Sequence, residues 1–200
     1  MLNGMLIKEK LKMIVGRMRL LFVFIGILFL QINGFANTPI SADPQDTCPV
    51  PANIKNQLFY LQRTTNTNTV VYALNINAKG VLDESTPVKV FWIRYPEGGM
   101  QKELNFIQKA FAYGTISRKN KDGSFTIQLV AYKKKEFILK KSASDNAYKL
   151  YTQINNKEAE IKRIFIKIDP GGTLFNPNIV YVEMKGKEAN NKPIMERFKP

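Results

Sequence analysis

Residues 88–95 read VKVFWIRY. In an extended strand alternate side chains face opposite sides. Val88, Val90, Trp92 and Arg94 therefore share one face, and Lys89, Phe91, Ile93 and Tyr95 share the other. Both faces are mostly apolar, which predicts a central strand covered on both sides. Pro96 ends it, because proline has no amide proton to give to a ladder.

The segments around it have the same character. QLFYLQR (57–63), TVVYALNI (69–76), SFTIQLVAY (124–132), EFILK (136–140), YKLYTQI (148–154), EIKRIFIKI (160–168), NIVYVEM (178–184) and IMERF (194–198) are short and rich in β-branched and aromatic residues. Turn formers separate them: TTNTNT (64–69), NKDGS (120–124), SASDN (142–146), NNK (155–157) and DPGG (169–172). Asp122-Gly123 predicts a tight hairpin with positive φ at both central residues. About 8–10 short strands at this spacing predict a mainly β fold, an antiparallel β-sandwich or barrel. One segment departs from the pattern. MQKELNFIQKAF (100–111) sets Leu104, Ile107 and Phe111 at helical spacing after Gly98-Gly99, which predicts one short helix over about 100–112 capping the sheet or barrel end.

The chain before the strands reads differently. Lys8, Lys10, Lys12, Arg17 and Arg19 precede LLFVFIGILFL (20–30), an apolar run of 11 residues. A membrane-spanning helix needs roughly 20, so the run fits the core of a secretory signal. Gly34 and Ala36 then form a small-x-small cleavage pattern, and residues 1–36 are expected to be removed. No Cys stands at that site for a lipid anchor. Residues 37–56 carry four prolines and few large apolar groups, and read as a Pro-rich linker. The expected organisation is thus signal peptide 1–36, linker 37–56 and one β-rich domain 57–200. The expected destination is outside the cytoplasm, in the periplasm or the extracellular space, with no transmembrane span in the mature chain. Cys48 is the only cysteine, so no internal disulfide staples the domain. About 145 residues suffice for a core without one.

Of 30 Lys and Arg and 16 Asp and Glu, residues 1–36 hold five and one, leaving 25 and 15 and a mature charge of +10. Acidic glycans, lipid phosphates or an envelope protein are natural partners of such a surface. Of those 25 cations only Arg63, Arg94, Arg118, Arg163 and Arg197 are arginines, and Arg is the better fork for phosphate. The Lys excess argues for a solvated basic surface and against specific nucleic-acid binding. AYKKKEFILKK (131–141) is read as the end of one strand and a short following one. Its lysines guard an exposed edge, with docking on anionic headgroups or glycans as the functional alternative.

The chain has no histidine. That removes Ser-His-Asp and Cys-His nucleophilic catalysis and nearly all catalytic zinc sites. Neither GxxxxGK[ST] nor GxGxxG occurs, and no cofactor is expected. DPGGTLFNPN (169–178) offers one carboxylate, too few for calcium, and reads as a turn. Carboxylate chemistry stays open through Asp145, Asp169, Glu183 and Glu196, since glycan hydrolysis needs two acids at short range. Arg94 sits at a strand end beside much apolar surface and needs an acceptor. Glu97 or Glu103 supplies one structurally; an anionic ligand group is the functional reading.

TVVYALN, PVKVFWIRY, FAYG, LVAYKKKEF, RIFIKI, YVEMKG and ERFKP, in that order, resemble an exported Gram-negative bacterial family known as domain of unknown function 4833. The likeness covers about residues 57–200. It implies a compact β-rich extracytoplasmic domain and brings no activity or catalytic residue with it. The residues themselves favour a non-catalytic domain that binds a small apolar or anionic ligand or an envelope partner. Arg94, Trp92, Tyr95, Tyr113 and Arg63 are the candidate contacts. The alternatives are a carboxylate-based glycan hydrolase and a structural envelope component.

Overall fold

The computed structural model describes residues 48–64, 66–173 and 176–200. The expected signal peptide and residues 37–47 of the expected linker lie outside these. Among the described residues the fold is mainly β, with eleven strands and one short helical stretch. The strands are β1 (Gln57–Arg63), β2 (Asn66–Leu74), β3 (Val88–Arg94), β4 (Met100–Glu103), β5 (Thr115–Lys119), β6 (Phe125–Leu129), β7 (Tyr132–Lys141), β8 (Tyr148–Ile154), β9 (Lys157–Asp169), β10 (Asn178–Lys187) and β11 (Pro193–Phe198).

Nine strands run in the order β4-β3-β2-β1-β9-β8-β7-β6-β5, a curled sheet that forms a half-barrel. β10 and β11 extend it from β9. All pairings are antiparallel except β1 with β9, which is parallel along Tyr60–Arg63 and Arg163–Ile166. The 13 residues of β9 make this branching feasible. β8 takes Lys157–Glu160 and β1 takes Arg163–Ile166, while β10 runs along the other edge. A bulge at Lys162, between Ile161 opposite Gly186 and Arg163 opposite Lys185, falls between the two stretches. Bulges bend a strand and raise its twist, so β1 and β8 leave β9 in different directions and the sheet curls.

The concave face holds the main core. Phe59 of β1 stacks on Tyr72 of β2 with centroids 4.2 Å apart and rings 8° from parallel. Its ring also stands 6.0 Å from Phe137 of β7, across the curl. All three are fully buried. The prediction of two covered faces for β3 holds. Val88 and Trp92 join the main core, whereas Phe91 and Ile93 join Val71 and Ala73 in a second cluster on the convex face. Ile54, from the far end of the expected linker, packs on that cluster, and the Gln62 amide donates to the Pro49 carbonyl at 2.8 Å. Residues 48–56 thus cover the convex side of β1–β3.

Three local expectations change. Met100–Glu103 do not begin the helix; they pair with Phe91–Arg94 as β4. An open strand edge offers ladder hydrogen bonds at once, whereas an isolated short helix is marginal. The helical stretch shrinks to α1 (Phe106–Gln108) and a π turn (Lys109–Tyr113), capped at Asn105. In the β5–β6 hairpin only Gly123 has positive φ, at 82°. The Gly123 amide donates to the Asn120 carbonyl and the Asn120 amide to the Ser124 carbonyl. This is a three-residue loop closed by a left-handed glycine, with Asp122 bonded to the Ser124 amide and hydroxyl. Finally, 132–141 is one strand lying between β6 and β8, not an edge. Its lysines find other partners: Lys140 pairs with Glu158 at 2.5 Å and lies over the Tyr151 ring, and Lys141 lies over Tyr148.

Replacing Phe59 by Ala removes the ring shared by both halves of the curl. Large-to-small changes at such sites cost about 3–5 kcal/mol. Urea unfolding of Phe59→Ala is expected to show a loss of that size, larger than for Phe91→Ala in the smaller convex cluster.

Candidate functional site

The rim of the concave face over β1–β3 gathers most of the predicted contacts. Leu61, Val70 and Trp92 form one cross-strand row. Two residues further along β2 and β3 stand Asn68 and Arg94, and on β1 a register shift after Leu61 sets Arg63 opposite Asn66. Trp92 is only 8% exposed and meets the Tyr113 ring edge-on, 5.1 Å between centroids at 76°. Its Nε1–H donates to Gln108 Oε1 at 3.3 Å. Gln108 also closes the cap of α1, accepting from the Asn105 amide while its own amide donates to Asn105 Oδ1. The connection 104–114 is therefore pinned over the indole.

A second tie comes from inside. The fully buried Tyr72 donates its hydroxyl to the Tyr113 carbonyl at 2.9 Å. Burial, with Tyr113 adding a smaller push, holds the Tyr72 phenol far above its usual range, so it stays a neutral donor. Gly114 follows because there is no room for a side chain. A Cβ there would meet the Lys109 carbonyl oxygen at 2.0 Å. That backbone contact explains the glycine of FAYG.

The charges at the rim are incompletely neutralised. Arg94 pairs with Glu97 three residues on, Nη2 to Oε1 at 2.5 Å, with the two side chains 37% and 35% exposed. Glu103, the other expected acceptor, pairs with Lys109. Burial raises the Tyr113 phenol, and the Arg63 guanidinium opposes that rise, which places cation and phenol near each other. The Nε atoms of Arg63 and Arg94 and the Oδ1 of Asn68 are shielded from solvent and have no hydrogen-bond partner. Such atoms are rare in folded proteins and call for an explanation. Arg63, Trp92, Arg94 and Tyr113 thus share one face. Tyr95 does not: it packs on the convex cluster with Phe91 and Ile93. Sequence reasoning missed Asn68 and Gln108. The N-x-x-Q capping pattern at Asn105–Gln108 was a usable signal for the second; Asn68 carried none.

The four candidate acids sit apart, each beside a cation. Lys149 and the Ala147 amide hold Asp145 below the usual carboxylate range. Asp169 faces Lys167 at 3.7 Å, and Glu196 faces Lys135 at 3.9 Å. Glu183 is 2% exposed and bound by Arg197 at 2.8 Å and Lys185 at 3.1 Å. Glu183 is opposite Arg197 and Met184 opposite Glu196, so the two glutamates face opposite sides of the β10–β11 ribbon. Beside the 169–178 turn lies an open hollow of about 510 Å³, lined in part by Asn176, Asn178 and Lys199. Among the described residues no three acids, cysteines or histidines group as metal ligands, and no helix is long and apolar enough to cross a membrane.

The profile of a family described as Domain of unknown function (DUF4833) matches residues 59–197. The chain belongs to this family. The match begins at Phe59, the central ring of the core, and takes in the whole rim, so the half-barrel is the DUF4833 unit. No curated protein and no solved structure matches the chain.

Tyr72→Phe keeps the stacked ring and removes only the donor to Tyr113. It is expected to lower stability by about 1–3 kcal/mol, the cost of a buried unpaired carbonyl. Gly114→Ala must displace the π turn, so Trp92 fluorescence is expected to shift to longer wavelength as its cover loosens.

Proposed function

We propose that this DUF4833 protein is an exported, non-catalytic domain that binds a small ligand joining an anionic group to an apolar or aromatic body. The observation that carries the reading is the pair of shielded, unpartnered guanidinium Nε donors of Arg63 and Arg94, flanking Trp92 and Tyr113. Guanidinium forks suit carboxylates and phosphates. An aromatic wall beside them gives an apolar body a face to pack on. Glu97 holds one edge of Arg94 in place. Export rests on residues 1–36, and N-terminal sequencing of the protein recovered outside the cytoplasm tests it, with Asn37 as the expected first residue.

Isothermal titration with benzoate and with phenyl phosphate tests binding. Both are expected to bind, and Arg63→Gln and Arg94→Gln each to weaken them by about 10- to 100-fold, the worth of a charged hydrogen bond. Arg118→Gln, outside the rim, serves as the control. Arginine stays charged at all accessible pH, and the Tyr113 phenol is pushed up, not down. Benzoate affinity is therefore expected to be flat from about pH 6 to 9. Equal affinity in the two rim variants and the control would refute the assignment.

A further inference from the structure

The connection between β4 and β5 leaves large apolar side chains outside the core. Phe106 is 81% exposed, Phe111 62% and Ile107 54%, and Met100 on the adjoining edge strand is 57% exposed. The turn that carries them does not depend on those tips. It is held from beneath by Leu104, the Asn105 cap, the Trp92–Gln108 bond and the Tyr72–Tyr113 bond. A rigid base that carries exposed apolar tips such as Phe106 and Ile107 marks a contact surface.

Size and charge decide what it contacts. The four side chains expose on the order of 500 Å² together, well short of the ~800 Å² per partner of a stable protein interface. Phe106, Ile107 and Phe111 lie in one turn, and Met100 on the edge strand beside it. A bilayer boundary, by contrast, accepts a few apolar side chains when cations stand behind them. Here Lys102 lies opposite Trp92 and Arg94 opposite Met100 on the β3–β4 ladder, and Lys109 belongs to the turn itself. Arg94 and Lys109 pair with the nearby acids Glu97 and Glu103, which leaves Lys102 to carry the net positive charge beside the tip. The chain carries +14, and +10 without residues 1–36.

We propose that this tip docks on an anionic lipid bilayer, Phe106 and Ile107 entering the boundary between headgroups and acyl chains while Lys102 meets lipid phosphates. The inference concerns the outer tip and stands without the small-ligand reading of the rim.

An apolar run such as 20–30 would itself partition into vesicles wherever it is retained, so the test must read depth at the tip and not bulk sedimentation. Phe106→Trp in the full chain provides it. With phosphatidylglycerol vesicles, emission is expected to move to shorter wavelength. Brominated acyl chains should quench it severalfold more than the unsubstituted chain, whose Trp92 is buried. Pure phosphatidylcholine or high salt should remove both effects. Adding Lys102→Glu should weaken the response to phosphatidylglycerol about tenfold. Quenching no greater than in the unsubstituted chain, or equal quenching in neutral vesicles, overturns the proposal. A blue shift that needs no vesicles and grows with protein concentration also overturns it, because a second copy then covers the tip.

Discussion

The Phe59–Tyr72 stack is the contact on which the rest of the structure depends. One ring of the pair faces Phe137 across the curl and holds the two halves of the sheet together. The other ends in a buried hydroxyl that ties down the Tyr113 carbonyl from inside. The same buried pair therefore sets the curvature of the half-barrel and the position of Tyr113 against Trp92. Interiors are close-packed and transmit small displacements. A change at Phe59 is thus felt both as lost stability and as a shifted rim.

Curvature also needs a backbone cause, and β9 supplies it. A flat sheet cannot give one edge of a strand to two neighbours. β9 does so by being long and by bulging at Lys162 between them. β1 pairs with β9 in parallel on one edge and with its hairpin partner β2 on the other. The rim residues Arg63 and Arg94 then stand on the concave side with β2 between them. There the Nε atoms of both guanidinium groups are screened from water without a hydrogen-bond partner, while Arg94 also pairs with Glu97.

Much of this was legible in the strands. Alternation in VKVFWIRY separated Trp92 and Arg94 from Phe91 and Tyr95, and the structure places those faces on two different cores. The spacing of Leu104, Ile107 and Phe111 misled because local periodicity carries no knowledge of an open edge on β3. That edge took residues 100–103, and only Leu104 of the three reaches the core. The lysines of 131–141 misled for a related reason: charge suggests an edge, but long side chains also lie over cross-strand aromatic rings on an internal strand. The glycine of FAYG was visible as a letter, while its cause, a carbonyl five residues earlier, is a tertiary fact. Asn68 joins the rim with no sequence signal, since an asparagine between threonines reads as turn chemistry.

The central claim is that one aromatic stack joins core and rim. Aromatic NOE spectroscopy on selectively labelled protein reads it directly. Cross-peaks between the rings of Phe59 and Phe137 are expected, together with a slowly exchanging Tyr72 hydroxyl proton close to the Gly114 amide. A Phe59 ring with no cross-peak to Phe137, or a Tyr72 hydroxyl in fast exchange with water, would contradict it.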